Sequence, residues 1–284
     1  MCHPPTSLIL EERPRALVQG GISKDAMTVL QQGSNVVDEF TGKSVIITGA
    51  AGIYGSQLAE NFAAAGARLF LTDRDAAGLA AMAMQTNAAS ATADLIDPDS
   101  IVELCRAILD WAVPDVVVNN AGIYPFGGLF DTPVAMWDRI MHVNLRAPFL
   151  ITRALAEAMI AAGRKGVFIF IGSGAGQVLR TNGLAYCTSK RGLDWLMKGI
   201  ALELAPHGIR ANLVAPGLAL GSAGTVFPGG YAEAMAKRVP LGRAIAPGEL
   251  GEAVMFLASE RAAYITGASL SVDGGGAIPR RALD

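Results

Sequence analysis

Charge is scarce in this chain, and so are cysteine and histidine. Asp, Glu, Lys and Arg make up 17% of 284 residues, the formal net charge is −2, and no stretch concentrates lysine and arginine. A nucleic-acid surface or an anionic-membrane surface would need such a basic footprint, so neither partner is expected. The three cysteines, Cys2, Cys105 and Cys187, are odd in number, far apart and form no CxxC pair. They suggest neither a disulfide framework nor a zinc site, and a reducing, cytoplasmic compartment is the expectation. The three histidines, His3, His142 and His207, are equally scattered and suggest no metal site. No run approaches the ~18 uninterrupted apolar residues of a membrane span. The opening MCHPPTSLILEERPR carries prolines and acids where a secretory signal would carry a basic start and an apolar run. No targeting segment is expected there.

What is abundant is apolar residues, at 51%, and glycine, with 33 residues spread along the chain. The first favours a large core and surface buried between subunits; the second reads as turns and close backbone approaches. Residues 1–42 show little periodicity and contain Pro4, Pro5, Pro14 and Gly20-Gly21. They form an N-terminal extension, for which wrapping of the domain, reach to a neighbouring subunit, and disorder all stay open.

From Lys43 to about Gly275 short apolar or β-branched runs alternate with helical stretches. Strands are expected at 44–48, 68–72, 89–94, 115–119, 166–171, 210–215 and 269–272. Helices are expected at 54–66, 75–84, 98–111, 133–162, 184–206 and 248–258. This alternation implies right-handed crossovers and a mostly parallel, seven-stranded sheet with helices on both faces. The fold class is α/β, a single doubly wound domain over 43–284. Residues 217–240 break the rhythm with Gly217, Gly221, Gly224, Pro228, Gly229 and Gly230, and read as a substrate-binding loop.

The first strand runs into TGAAGIYGS (48–56), and then directly into a helix. Glycines at 49, 52 and 55 allow a tight turn and a close approach, and the helix N-terminus offers N–H groups to a pyrophosphate. The second strand ends at Asp73, 24 residues after Gly49. An acid there accepts hydrogen bonds from ribose hydroxyls and repels the 2′-phosphate of NADP, so NAD is favoured over NADP. Arg74 is the opposing signal, and an N-cap role is the plainer alternative for Asp73.

Tyr186 and Lys190 stand four apart in a helical pattern, on one face. A phenol ordinarily titrates near ~10. A neighbouring ammonium lowers that value and makes it a usable acid/base.

These residues, in this order, resemble a classical short-chain dehydrogenase/reductase: TGAAGIYG (48–55), Asp73, Asp94, NNAG (119–122), Asn144, Ser173, YCTSK (186–190) and Pro216-Gly217. Ser173 lies 13 residues before Tyr186, the family spacing, and the match covers about Lys43 to Gly275. The resemblance implies a Rossmann-like domain and hydride transfer between nicotinamide and a secondary alcohol or ketone. It assigns proton exchange to Tyr186 and orientation of the substrate oxygen to Ser173. Lys190 binds the nicotinamide ribose and depresses the pKa of Tyr186, while Asn144 holds a water that links Lys190 to solvent. It further implies cofactor contacts from Gly49, Gly52, Ile53, Tyr54 and Gly55, from Asp73, Arg74, Asp94 and Leu95, and from Asn120, Ala121 and Gly122. Pro216, Gly217 and Ala219 complete that set, beside Tyr186 and Lys190.

Plainer roles stand beside these: Ser173 as a turn residue, Asn144 as a helix cap, Asn119 and Asn120 as structural amides. Two departures are visible. The family's middle loop glycine falls at Ile53, and a threonine after Pro216-Gly217 is replaced by Gly221, with Ser222 or Thr225 nearby. Substrate contacts are expected from Tyr124, Gln177 and Arg180, with Ile123, Phe126 and Leu179 around them. The pocket is mainly apolar, Arg180 is a candidate anchor for an acidic group, and a medium-sized cyclic or aliphatic alcohol is the expected substrate. Relatives pair through the helices that correspond to 133–162 and 184–206, so a homodimer or homotetramer is implied. An NADP-dependent carbonyl or oxoacyl reductase and a non-catalytic Rossmann-fold binding protein are the alternatives. Asp73 argues against the first, and retention of Asn144, Ser173, Tyr186 and Lys190 argues against the second.

Overall fold

A computed structural model describes residues 39–217, 234 and 236–278. Residues 1–38 of the expected extension, most of the expected 217–240 loop including Ala219, Gly221, Ser222 and Thr225, and the last six residues lie outside the described residues.

The chain alternates strand and helix throughout. The strands are β1 (Ser44–Thr48), β2 (Arg68–Asp73), β3 (Ala89–Thr92), β4 (Val116–Asn119), β5 (Val167–Ile171), β6 (Arg210–Pro216) and β7 (Ser269–Val272). The helices are α1 (Ile53–Ala64), α2 (Ala76–Thr86), α3 (Pro98–Trp111), α4 (Val134–Met141), α5 (Ala147–Ala161), α6 (Leu184–Leu204) and α7 (Glu249–Ala258). All seven strands are parallel, in the order β3-β2-β1-β4-β5-β6-β7.

Every residue of β1, β4 and β5 is buried, as a sheet covered on both faces requires. Period-two alternation divides their side chains between two cores. Val45, Ile47, Val116, Val118, Val167 and Ile169 point to the layer of α1, α2 and α7. Ile46, Val117, Phe168 and Phe170 point to the layer of α3, α5 and α6. Before β1, Phe40 is buried edge-to-face on Phe62 of α1, and Glu39 pairs with Arg261, so the body of the fold reaches back past Lys43.

One expected helix differs in detail. Over 133–162 the chain is helical throughout but is not one α-helix: a π-helical turn, His142–Arg146, joins α4 to α5. Ala147 N–H bonds back to His142 O, five residues earlier. Pro148 supplies the physical reason: it has no N–H to give to the carbonyl of Asn144, its α-helical partner.

The order reverses at β1 and β4. From β1 the chain builds outward to β3, then returns across the sheet and builds the other way. Such a switch point opens a crevice at the carboxyl ends of the two central strands. The site lies there.

Candidate active site

A cleft of about 840 Å³ runs over the carboxyl ends of β1 to β6. Its lining comes from the residue or two after each strand: Gly49 after β1, Asp73 at the end of β2, Asp94 after β3, Asn120 after β4, Ser173 after β5 and Gly217 after β6. Parallel packing thus gathers residues from the length of the chain onto one edge of the sheet.

The glycine loop is shaped by two close approaches. Gly49 has φ +66°, and a side chain there would start 2.8 Å from Ala121 Cα. At Gly55 it would start 2.0 Å from Gly49 O, so the first turn of α1 can rest on the loop only without a Cβ. Gly52 is the N-cap and Ile53 the first helical residue, with Ile53 facing the cleft. The side chain at 53 is therefore accommodated at the helix start, while positions 49 and 55 carry the tight contacts. The first N–H groups of α1 have no intrahelical acceptor and open on the cleft.

Thr48 and Asn120 lock this loop to the one after β4. Thr48 Oγ1 accepts from Asn120 N at 3.1 Å and Ala121 N at 3.0 Å, and Asn120 Nδ2 donates to Thr48 O at 2.9 Å and Gly49 O at 3.0 Å. Asn120 lines the cleft, but its amide group is engaged in this brace. Asp73 acts similarly: its carboxylate accepts from Ala51 N and Asp75 N, both at 3.0 Å. The N-cap of α2 is Asp75, not Asp73. Arg74, Asp94 and Leu95 line the same end, and Asp94 Oδ1 accepts from Ile96 N at 3.0 Å.

The other end holds Ser173, Tyr186 and Lys190. Lys190 is buried, and its Nζ donates to Ile171 O at 2.9 Å. Burial lowers the ammonium from 10.5 to about 8. Burial also dominates at Tyr186 and pushes the phenol up, while a hydrogen bond from Ser173 and the charge of Arg180 pull it down. Lys190 is not among these influences on the phenol. In the described arrangement its Nζ sits 6.0 Å from the Tyr186 ring centroid, committed to a carbonyl, and the lowering influences are Ser173 and Arg180.

Asn144 is wholly buried in the π turn, and its side chain is fully occupied. Oδ1 accepts from Ile123 N at 2.8 Å, and Nδ2 donates to Ile123 O at 2.8 Å and Ser189 Oγ at 3.0 Å. Ser189 in turn donates to Tyr186 O at 2.8 Å. The side chain fixes the wall of the site and the turn that bears Tyr186. Pro148 leaves the Asn144 carbonyl without its α-helical donor.

Of the expected substrate residues, Tyr124 and Arg180 line the cleft, with the Tyr124 ring 6.4 Å from that of Tyr186. Gln177 is turned elsewhere: it is exposed, donates to Ser271 Oγ at 2.8 Å and is not part of the lining. Three contributors were not singled out from the sequence: Thr48, Thr72 and Ser189. Thr48 and Ser189 lie inside the quoted motifs and Thr72 beside Asp73, but nothing in spacing alone separates their hydroxyls from those of ordinary strand or helix residues. Cys187, next to Tyr186, is buried in packing.

The lining fits a dinucleotide by more than shape. Among the described residues four buried side-chain atoms lack a partner, and two of them, Tyr54 Oη and Thr72 Oγ1, belong to cleft residues, whereas Asn119 Oδ1 and Arg146 Nε do not. A buried hydroxyl is normally satisfied, so this pair marks where a polar ligand completes the protein. A cleft with a glycine loop and acids at one end, and a buried phenol and ammonium at the other, is built for a nicotinamide-dependent oxidoreductase.

Comparison with known proteins agrees. A family model described as enoyl-(acyl carrier protein) reductase matches residues 49–276. Galactitol 2-dehydrogenase (L-tagatose-forming) of Cereibacter sphaeroides is 35% identical over 246 residues, covering 82% of this chain and 94% of the relative. Trans-4-hydroxycyclohexanecarboxylate dehydrogenase of Sinomonas cyclohexanicum is 35% identical over 254 residues, covering 85% and 95%. The solved Pseudomonas aeruginosa RhlG/NADP active-site complex superposes with a TM-score of 0.80 at 29% identity, covering 86% of this chain and 99% of that one. The chain belongs to the short-chain dehydrogenase/reductase family. Among the described residues, no helix is long and apolar enough to cross a membrane.

Proposed function

We propose that the protein is an NAD-dependent dehydrogenase that interconverts a secondary alcohol and its ketone, with Tyr186 as general acid/base. The observation that carries this reading is the grouping of Ser173, Tyr186 and buried Lys190 at one end of the cleft, with Lys190 Nζ 6.0 Å from the Tyr186 ring centroid. When bound, the dinucleotide supplies or receives the hydride at the carbon that bears the oxygen. Tyr186 gives the oxygen its proton in reduction and takes it in oxidation. Ser173 donates to the same oxygen and holds it in line with the phenol. The protonated state favoured by burial suits reduction directly; oxidation needs the phenolate, which Ser173 and the nearby cations stabilise. Lys190, whose Nζ donates to Ile171 O, would hold the nicotinamide ribose when the dinucleotide is bound, and the Asn144 carbonyl would hold a water that links the phenol to solvent. The names of the relatives span polyols and hydroxycyclohexanecarboxylates, which supports a hydroxylated small molecule as substrate.

The choice of NAD rests on Asp73. Two backbone amides fix its carboxylate at the cleft, where a 2′-phosphate would meet a like charge that cannot swing away. Fluorescence titration is expected to show NADH binding at least about 10-fold tighter than NADPH, since juxtaposed like charges cost several kcal/mol. Asp73→Ala removes the difference. Tighter NADPH binding by the unsubstituted protein overturns the assignment and gives the decision to Arg74. A homodimer or homotetramer is proposed as the working assembly, on the exposed apolar residues of α5 and α6 discussed below.

A further inference from the structure

The formal charges that line the cleft are not evenly placed. Asp73, Arg74, Asp75 and Asp94 gather at one end. At the catalytic end the charged side chains of the lining are Lys190 and Arg180. Lys190 is buried and committed to Ile171 O; Arg180 is solvent-accessible and forms no ion pair with any described acid. The walls beside it are apolar and aromatic: Ile123, Tyr124, Pro125 and Phe126.

Arg180 is also held in place by its backbone. It opens a turn closed by Gly183 N–H to Arg180 O at 3.1 Å, with Asn182 in the left-handed region at φ +60°. That turn is pinned across the cleft mouth, where Gly127 N–H donates to Asn182 O at 2.7 Å. Arg180 lines the same cleft as Tyr186, and its positive charge pulls that phenol down.

We infer that Arg180 is an anion anchor at the catalytic end of the cleft, and that the preferred substrate is a secondary alcohol, or its ketone, that carries a carboxylate on an apolar body. The inference rests on the dehydrogenase reading above and names the substrate class of that same site. A guanidinium offers a planar pair of donors that matches a carboxylate, and the adjoining apolar wall strengthens the pair by excluding water. A neutral polyol would leave this cation unused and set its hydroxyls against an apolar wall.

The test compares a graded series of hydroxy acids, from 3-hydroxybutyrate to longer homologues, each with its methyl ester, which keeps the shape and removes the charge. For the best acid, kcat/KM is expected to exceed that of its ester by roughly 10- to 100-fold, the worth of a charged hydrogen-bonded pair. Arg180→Ala removes that preference and leaves the ester within about 3-fold; Arg180→Lys keeps part of it, and raised salt weakens it. Equal handling of acid and ester by the unsubstituted protein overturns the anchor. So does an Arg180→Ala variant that slows both alike with a displaced pH profile, because the arginine then acts on Tyr186 and not on substrate. Binding is read apart from turnover, by calorimetric titration of acid and ester into NAD-saturated Tyr186→Phe protein. Tighter binding of the acid there, with no turnover of any alcohol by the unsubstituted protein, leaves the anchor standing and sinks the dehydrogenase reading. Equal binding sinks the anchor whatever the turnover shows.

Discussion

At the scale of single residues, the cleft contains side chains that the polypeptide alone does not satisfy. Tyr54 buries its hydroxyl without a partner, and burial together with the nearby Tyr186 pushes that phenol far up, so it stays protonated and keeps an O–H to donate. Such a group costs about 1–3 kcal/mol in the free protein. If the dinucleotide accepts from it, Tyr54→Phe acts in opposite directions on two observables. The free protein gains about 1 kcal/mol in urea unfolding, and NADH binding weakens by roughly 5- to 10-fold. A purely structural hydroxyl moves both downward or leaves the affinity unchanged, and either result rejects the role. Position 54 was legible as part of the glycine motif; that it carries an unpaired hydroxyl was not, because satisfaction is a property of neighbours. The same limit applies to Asp73, whose place after β2 was readable while its two amide donors were not, and to Gln177, which the sequence placed near the substrate and Ser271 draws away.

At the scale of elements, strands were the most legible, because β-branched runs buried on both faces have few other fates. The helical stretch 133–162 was legible as helix but not as a helix with a π turn. Apolar periodicity does not distinguish a bond to the fourth residue back from one to the fifth; only Pro148 hinted at it. The end of α7 at Ala258 was legible, but the group that satisfies its last carbonyls was not. Arg210 at the start of β6 donates to Leu257 O at 2.8 Å, Ser259 O at 3.1 Å, Ala258 O at 3.5 Å and Ile265 O at 3.2 Å. One guanidinium thus satisfies the last carbonyls of a helix and ties that helix to the sheet, where the helix dipole also favours a cation. Arg210→Met is expected to cost about 2 kcal/mol, since partly buried carbonyls lose their donors. Urea unfolding checks this, and NADH affinity should be unchanged, because the clamp lies away from the cleft. An unaltered midpoint would show that water replaces the donors fully.

At the scale of the whole molecule, apolar side chains remain on the surface in an ordered way. Leu184, Trp195 and Leu202 are exposed on α6 at separations of 11 and 7 residues, which keeps them within about 20° of one another around the helix. Phe149 and Ile160 form a similar exposed pair on α5. An ordered stripe of this kind on two helices is the face through which the proposed assembly would pack one copy on another. β7, at the end of the sheet, is a second such place, with Ser269, Leu270 and Ser271 exposed. Light scattering is expected to give a dimer or tetramer, and Trp195→Glu to lower that mass with the secondary structure intact. A monomeric unsubstituted protein would reject the assembly.

What the sequence determined by itself is the order of elements and the chemistry available to them. Apolar period and turn residues set strands and helices, and the spacing of Gly49, Ser173, Tyr186 and Lys190 set the class of site, because these are local properties carried along one dimension. What only the tertiary structure decided is which groups are left over once neighbours are satisfied. Asn144 and Asn120 are committed to the frame, Lys190 is held by a carbonyl, and Tyr54 and Arg180 still face the cleft with something to offer. Hydrogen-bond saturation and burial depend on contacts between residues far apart in the chain, and the parallel sheet brings those residues to one edge only when it is folded.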